Sequence, residues 1–271
     1  MRIDSETGSN AEVADTGGRP LGLAVARDGR LLICDSHRGL LRMDTGTGEF
    51  ETLVAEVEGR RLTFCSNVVE SSDGTLYFTE STDRFHYEFY KGAFLDARGS
   101  GALFRRDPDG TVTVLAAGLY FANGVTLTAD ESALVFAETS GARLSKFWLS
   151  GPEAGKVTPL VDELPGYPDN ISTGPDGRIW VAMVSERNAT VEGLAPKAPA
   201  LRKLLWRLPY SLLPDTKPLV WVLAVDPDDG RVLTQLRQRH PSFGASTGVV
   251  QHGDRVWVGG IGSPTVAYFD L

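Results

Sequence analysis

The chain has 271 residues, 42% of them hydrophobic, with 27 Lys and Arg against 35 Asp and Glu, a formal charge of −8. That length can bury one large all-β domain, and the acidic balance excludes a phosphate-backbone binder, so no nucleic-acid partner is expected. No apolar run approaches a membrane span and no secretory leader opens the chain, so a cytoplasmic protein without a membrane segment is the expectation.

Residues 1–18 read as the outer part of an incomplete unit. Arg2–Gly8 followed by Glu12–Gly18 matches Leu41–Gly48 followed by Glu51–Val54. The first full unit begins Gly22–Val25, turns at Asp28-Gly29 and returns through Leu31–Cys34 to Asp35-Ser36. Near-copies follow at Asn67–Ser81, Asn123–Thr139 and Asn170–Ser185, and a shorter one at Thr247–Gly259. Asp-Gly between two β-branched runs is a hairpin signal, because glycine accepts the positive φ of the tight turn. A third and usually a fourth strand follow each hairpin, as at Gly39–Asp44 with Phe50–Val54 and at Ala102–Arg106 with Val112–Leu115.

Four antiparallel strands per unit, repeated at intervals of 45 to 77 residues, predict propeller blades. A single six-bladed β-propeller domain over 1–271 is the expected fold, lacking the inner strands of its first blade, about fifty N-terminal residues. The alternative is a divergent five-bladed ring closed by strand exchange. Two departures from the repeat, residues 82–100 and 186–219, are expected to act as lids on one face. The second contains Pro199–Pro209, the one short helix candidate. Cys34 and Cys65 are too few for a disulfide framework or a CxxC metal site.

In a propeller the innermost strand lines the axis, so Asn67, Asn123 and Asn170, each opening a blade, are expected to converge there. Their amide oxygens are hard neutral donors that suit Ca²⁺; a single such Asn is ordinarily a turn residue. Asp35, Glu80 and Glu138 end second strands on the same face. Glu80, Phe85, Phe121, Glu138, Tyr167 and Thr247 are the expected substrate contacts. Aromatic lids predict a small-molecule substrate that is uncharged and hydrophobic or aromatic. For acid–base work the candidates are His37, just beyond Asp35-Ser36, and Asp169, beside Asn170. Gly244-Ala-Ser246-Thr-Gly248 fits a nucleophile-elbow pattern, but a strand follows it where the elbow needs a helix.

Several stretches carry a family resemblance. They are Gly18-Arg-Pro-Leu-Gly22, Tyr77-Phe-Thr-Glu-Ser81, Phe121-Ala-Asn-Gly-Val125, Phe147–Gly155 and Leu164-Pro-Gly-Tyr-Pro-Asp-Asn-Ile171. From about Asp15 onward the chain resembles the strictosidine synthase-like family, which includes the adipocyte plasma membrane-associated proteins and neighbours the SMP-30/gluconolactonase and paraoxonase propellers. The resemblance implies a six-bladed propeller and two chemistries. Strictosidine synthases condense an amine with an aldehyde through a last-blade glutamate, where this chain has Thr247. Hydrolase relatives hold a catalytic Ca²⁺ with asparagines at blade openings, matched by Asn67, Asn123 and Asn170. The expected activity is therefore calcium-dependent hydrolysis of small esters or lactones. The alternatives are Pictet–Spengler condensation and a non-catalytic ligand-binding propeller.

Overall fold

The computed structural model describes residues 2–4, 6–96, 98–188, 192–193, 206–207, 210, 218–262 and 265–271. Strands β1 (Arg2–Ile3) and β2 (Asn10–Ala11) form a hairpin at the N-terminal end. Blade one is β3 (Pro20–Val25), β4 (Leu31–Asp35), β5 (Gly39–Met43) and β6 (Phe50–Val54). A small hairpin of β7 (Glu56–Val57) and β8 (Arg60–Arg61) leads into blade two. That blade comprises β9 (Cys65–Glu70), β10 (Leu76–Glu80), β11 (Gly101–Arg106) and β12 (Val112–Leu119). Blade three holds β13 (Ala122–Leu127), β14 (Ala133–Glu138), β15 (Arg143–Trp148) and β16 (Val157–Val161). Blade four holds β17 (Gly166–Thr173), β18 (Ile179–Glu186), β19 (Val220–Val225) and β20 (Val232–Gln238). Blade five has three strands, β21 (Ala245–His252), β22 (Arg255–Ile261) and β23 (Ala267–Asp270).

The hairpins form for the reason the sequence indicates. Gly29, Gly74 and Gly177 occupy the left-handed region at φ of 82°, 83° and 86°, and in blade three Glu131 takes that place at 55°. The aspartates before them fold back onto the main chain: Asp28, Asp73, Asp130 and Asp176 each accept the N–H two residues on. Between blades the strands bury apolar faces. Cys34, Leu40, Cys65 and Phe78 join blades one and two, and Val135, Ile171, Val181 and Trp221 join blades three and four.

The described residues form an all-β propeller of five blades and an N-terminal strand pair; the expected sixth blade is not found among them. Inner strands pack in succession, β3 on β9, β9 on β13, β13 on β17 and β17 on β21. No packing of that extent joins β21 to β3 among the described residues. Their apolar side chains Leu23, Val25 and Val250 stand exposed at 56%, 76% and 53%. Residues 82–100 carry a 3-10 turn (Tyr87–Phe89) running into a short helix α1 (Tyr90–Asp96) that the strand pattern did not foreshadow. The other insertion, including the helix candidate Pro199–Pro209, lies for the most part outside the described residues. No helix among the described residues is long and apolar enough to cross a membrane.

Candidate functional site

Every inner strand breaks its ladder at the same place. In blade one Leu21 and Gly22 together oppose one residue of β4, and in blade two Ser66 and Asn67 oppose Thr79. Asn123 with Gly124 and Asp169 with Asn170 do the same in blades three and four, and Thr247 is the extra residue of blade five. A β-bulge bends its strand and re-aims its side chains. Here the bulges face one cavity of about 570 Å³, within the range of small-molecule sites. Ser66, Asn123, Asp169, Asn170 and Thr247 line its floor.

The floor is a hydrogen-bonded net around the axis. Asn67 Nδ2 donates to Asn170 Oδ1 at 2.7 Å, and Asn170 Nδ2 donates to the Thr247 carbonyl at 2.7 Å. Asn123 Oδ1 accepts from Ser66 Oγ at 3.0 Å, and its Nδ2 donates to Thr139 Oγ1 at 3.2 Å. The Asn123 side chain also neighbours the Asp169 carboxylate and favours its charged form. Burial pushes the Asp169 carboxyl up to about 7, outweighing the influence of Asn123 and of the Asn170 main chain.

The floor's oxygen donors fit a hard cation. One carboxylate, Asp169, stands with the amide oxygens of Asn123 and Asn170, each of which retains a second lone pair after its one hydrogen bond. This donor chemistry suits Ca²⁺. Asn67 departs from the expectation: its Oδ1 accepts from Val125 N at 3.3 Å, its Nδ2 holds Asn170, and it lies outside the cavity lining. Among the described residues no three His, Cys, Asp or Glu side chains form a metal-holding group.

Glu80 and Glu138 are corrected from substrate contacts to clasps. Glu138, fully buried, accepts Tyr120 N at 2.8 Å, Arg143 Nε at 2.7 Å and Ser145 Oγ at 3.1 Å. Glu80 accepts Thr63 N at 2.6 Å and Arg60 through both of its oxygens. Asp35 repeats the device with Arg19 N at 3.0 Å. Each carboxylate ends a second strand and ties down the chain entering the inner strand of its own blade. None lines the main cavity, although Glu80 borders a shallower hollow beside β7–β8.

Phe121, Tyr167 and Thr247 do line the cavity, and α1 adds Tyr90, Lys91 and Phe94 above the floor. Phe94 packs on Phe121 with centroids 4.9 Å apart. Phe85 is absent from the lining and packs instead against Trp206 and the helix at Gly92. His37 is also outside, its Nε2 3.0 Å from a Glu88 carboxylate oxygen. Ser246 is buried and bonded to the main chain at Leu219 and Trp221, so it offers no nucleophile to the cavity. Arg19, which carried no role in the sequence reading, lines the cavity wall.

Residues 1–209 match the family model of the SMP-30/gluconolactonase/LRE-like region. The chain is 38% identical over 194 residues to strictosidine synthase-like protein 6 of Arabidopsis thaliana, covering 71% of this chain and 51% of that protein. To the adipocyte plasma membrane-associated protein of Salmo salar it is 32% identical over 265 residues, 94% of this chain and 64% of that one. It thus spans about half to two thirds of the length of these relatives. A gluconolactonase structure from Xanthomonas campestris superposes with a TM-score of 0.63 at 19% identity, over 93% of this chain and 71% of that one. The calcium-binding protein regucalcin of Agrobacterium tumefaciens gives 0.57 at 20% identity, over 88% and 67%. These two likenesses concern the fold. With most of its length matched by the family model and five propeller blades around one lined axis, the chain belongs to the SMP-30/gluconolactonase/LRE-like family, and its curated relatives are strictosidine synthase-like.

Proposed function

We propose that this chain is a calcium-dependent hydrolase of small lactones or esters. The observation that carries this reading is the cavity floor, where one carboxylate and two amide oxygens are aimed by strand bulges into an aromatic-walled cavity. Asp169, Asn123 and Asn170 would hold the ion. A bound Ca²⁺ would supply positive charge against the negative charge that develops on a carbonyl oxygen under attack. Asn123 neighbours the Asp169 carboxylate and favours its charged form, while Asn67 and the Thr247 carbonyl fix the rotamer of Asn170. Phe121, Phe94 and Tyr90 keep bulk water from the floor and offer an apolar face to the substrate body. Family membership and the gluconolactonase-like fold support a lactone substrate.

The test is metal analysis of the purified protein together with hydrolysis of glucono-δ-lactone and phenyl acetate, with and without a chelator. Stoichiometric calcium, and activity lost in chelator and restored by calcium, are expected. Full activity in excess chelator would remove the metal from the proposal. A binding propeller without catalysis is the second reading. It is favoured by the net itself, since Asn67, Asn123 and Asn170 already satisfy one another and their neighbours. Absence of both calcium and turnover would select it. Condensation of an amine with an aldehyde is disfavoured because Thr247 brings no carboxylate to its place on the floor.

A further inference from the structure

Arg19 enters blade one at the rim of the same cavity. Its guanidinium lies over the Tyr87 ring, 4.1 Å from the centroid. Its Nε is buried and has no hydrogen-bond partner among the described residues. The fold uses Arg19 through its main chain: the N–H binds Asp35 and the carbonyl accepts Ser36 N at 2.9 Å. The clasp at Asp35-Ser36 thus uses none of the side chain's donors. A buried guanidinium N–H left unmet is costly unless something arrives to accept from it.

The surroundings favour an anion. Although the chain carries a net charge of −8, this wall gathers Arg19, Lys91, Arg187 and Arg239 against Asp169 and Glu186. Glu186 is paired with Arg237, and Arg187 is held by Glu192 at 2.9 Å. Arg19 and Arg239 then stand against Asp169 in the lining, and low-dielectric walls focus their positive potential into the cavity. The planar edge of a guanidinium stacked on an aromatic ring matches the two oxygens of a carboxylate. The neighbouring Tyr87, Tyr90 and Phe94 rings match an aromatic or otherwise flat apolar body.

We infer that Arg19 is a specificity-determining anchor and that the site takes ligands joining a carboxylate to a flat apolar body. This replaces the uncharged ligand expected from the lids alone. It rests on reading the cavity as the substrate site, but not on the hydrolytic step. Substrates of the proposed reaction would then be lactones or esters of aromatic acids that keep a second, free carboxylate.

The experiment compares 2-naphthoate with 2-naphthamide, titrated calorimetrically into the full chain in chelator, so that a floor cation does not hold the acid. Wild type is expected to bind the acid at least about tenfold more tightly than the amide, the acid alone weakening as salt rises. Arg19→Gln is expected to erase that preference and leave the amide affinity within about twofold. Arg19→Lys, which keeps the charge without the fork, is expected to retain part of the preference and serves if the Gln variant melts early. Equal affinities for acid and amide in wild type, or a preference that survives in Arg19→Gln, would overturn the assignment. Selective acid binding without ester turnover would sink the hydrolase reading and leave the anchor in place. Turnover without acid selectivity would do the reverse.

Discussion

Gly124 is the position where fold and floor meet most closely. It is the second residue of the blade-three bulge, next to Asn123, and faces the corresponding bulge of blade four. A Cβ placed there would lie 2.4 Å from Ile171 N and 2.7 Å from Asn170 Cα. Both obstacles are main chain, so no rotamer change relieves them. Restoring ordinary contact requires β13 and β17 to part by roughly 1 Å, and overpacking of this kind costs about 1–3 kcal/mol. For a chain of this size that is a fall in Tm of roughly 2–5 °C. The same displacement draws Asn123 away from Asp169, so Gly124→Ala should also weaken calcium binding. Urea and thermal denaturation, with calcium titration of the folded variant, measure both effects. Gly259→Ala is the control: nothing lies within 4 Å of its added Cβ and its φ is not positive, so stability should move by no more than about 0.5 kcal/mol. A Gly124→Ala melt within 1 °C of wild type would refute the close-approach argument (about 1 °C being the resolution of such a comparison).

Other substitutions separate the roles assigned above. Asp169→Asn removes the floor's one carboxylate and is expected to lower calcium affinity at least about 100-fold by titration while the far-ultraviolet spectrum stays unchanged. Glu138→Ala leaves the Tyr120 N–H and the Arg143 fork without their buried acceptor and should cost about 1–3 kcal/mol in urea denaturation, the half-exposed Arg143 being rehydrated, with Glu138→Gln recovering part of it. The Thr128 and Ser132 bonds hold the Asp130 carboxyl down at about 2, below its ordinary 3.8, so its contribution is fully present above pH 3.8 and lost as pH falls through 2. The Asp130→Asn stability deficit, about 1 kcal/mol or less at pH 7 because the turn is exposed, should therefore shrink progressively in melts as pH falls from 3.8 towards 2. Burial raises the Cys65 thiol well above its usual range, so an aromatic disulfide reagent should modify it only on unfolding, and rapid native labelling would contradict the packing of blades one and two.

The blade architecture was legible because its signals are local. Asp28-Gly29, Asp73-Gly74 and Asp176-Gly177 state their turns outright, and Asp130-Glu131 is recognisable only because the flanking strands repeat. The helix Tyr90–Asp96 gave no comparable signal. It spans seven residues, has no acidic residue in its first turn, and is held by ring contacts of Tyr90 with Tyr87 and of Phe94 with Phe121. Such contacts are tertiary and leave no periodic trace in so short a segment. The blade count departed for a different reason. Residues 1–18 match the outer half of a unit, and the structure accordingly pairs β1 with β2, but five inner strands are what the described residues contain.

The site divides along the same line. Asn67, Asn123 and Asn170 stood out by position, and the structure does bring them into one net, yet their equivalence in the repeat concealed different tasks. Asn123 and Asn170 face the cavity, whereas Asn67 ties their strands together from outside it. Asp35, Glu80 and Glu138 were conspicuous for a related reason and proved to be clasps. Their partners, Arg19 N, Thr63 N and Tyr120 N, lie 16, 17 and 18 residues upstream and are main-chain groups, which no side-chain pattern announces. Arg19 escaped notice because one residue performs two tasks. Its main chain completes the clasp that every early blade needs, which leaves its side chain to stack on Tyr87 at the cavity wall. A clasped strand entry sets where the bulge falls, the bulge sets which side chains reach the axis, and the residue between clasp and bulge is left to vary. Selectivity in this propeller is therefore expected to reside at strand entries such as Arg19, while the floor chemistry resides in the bulges at Asn123 and Asp169-Asn170.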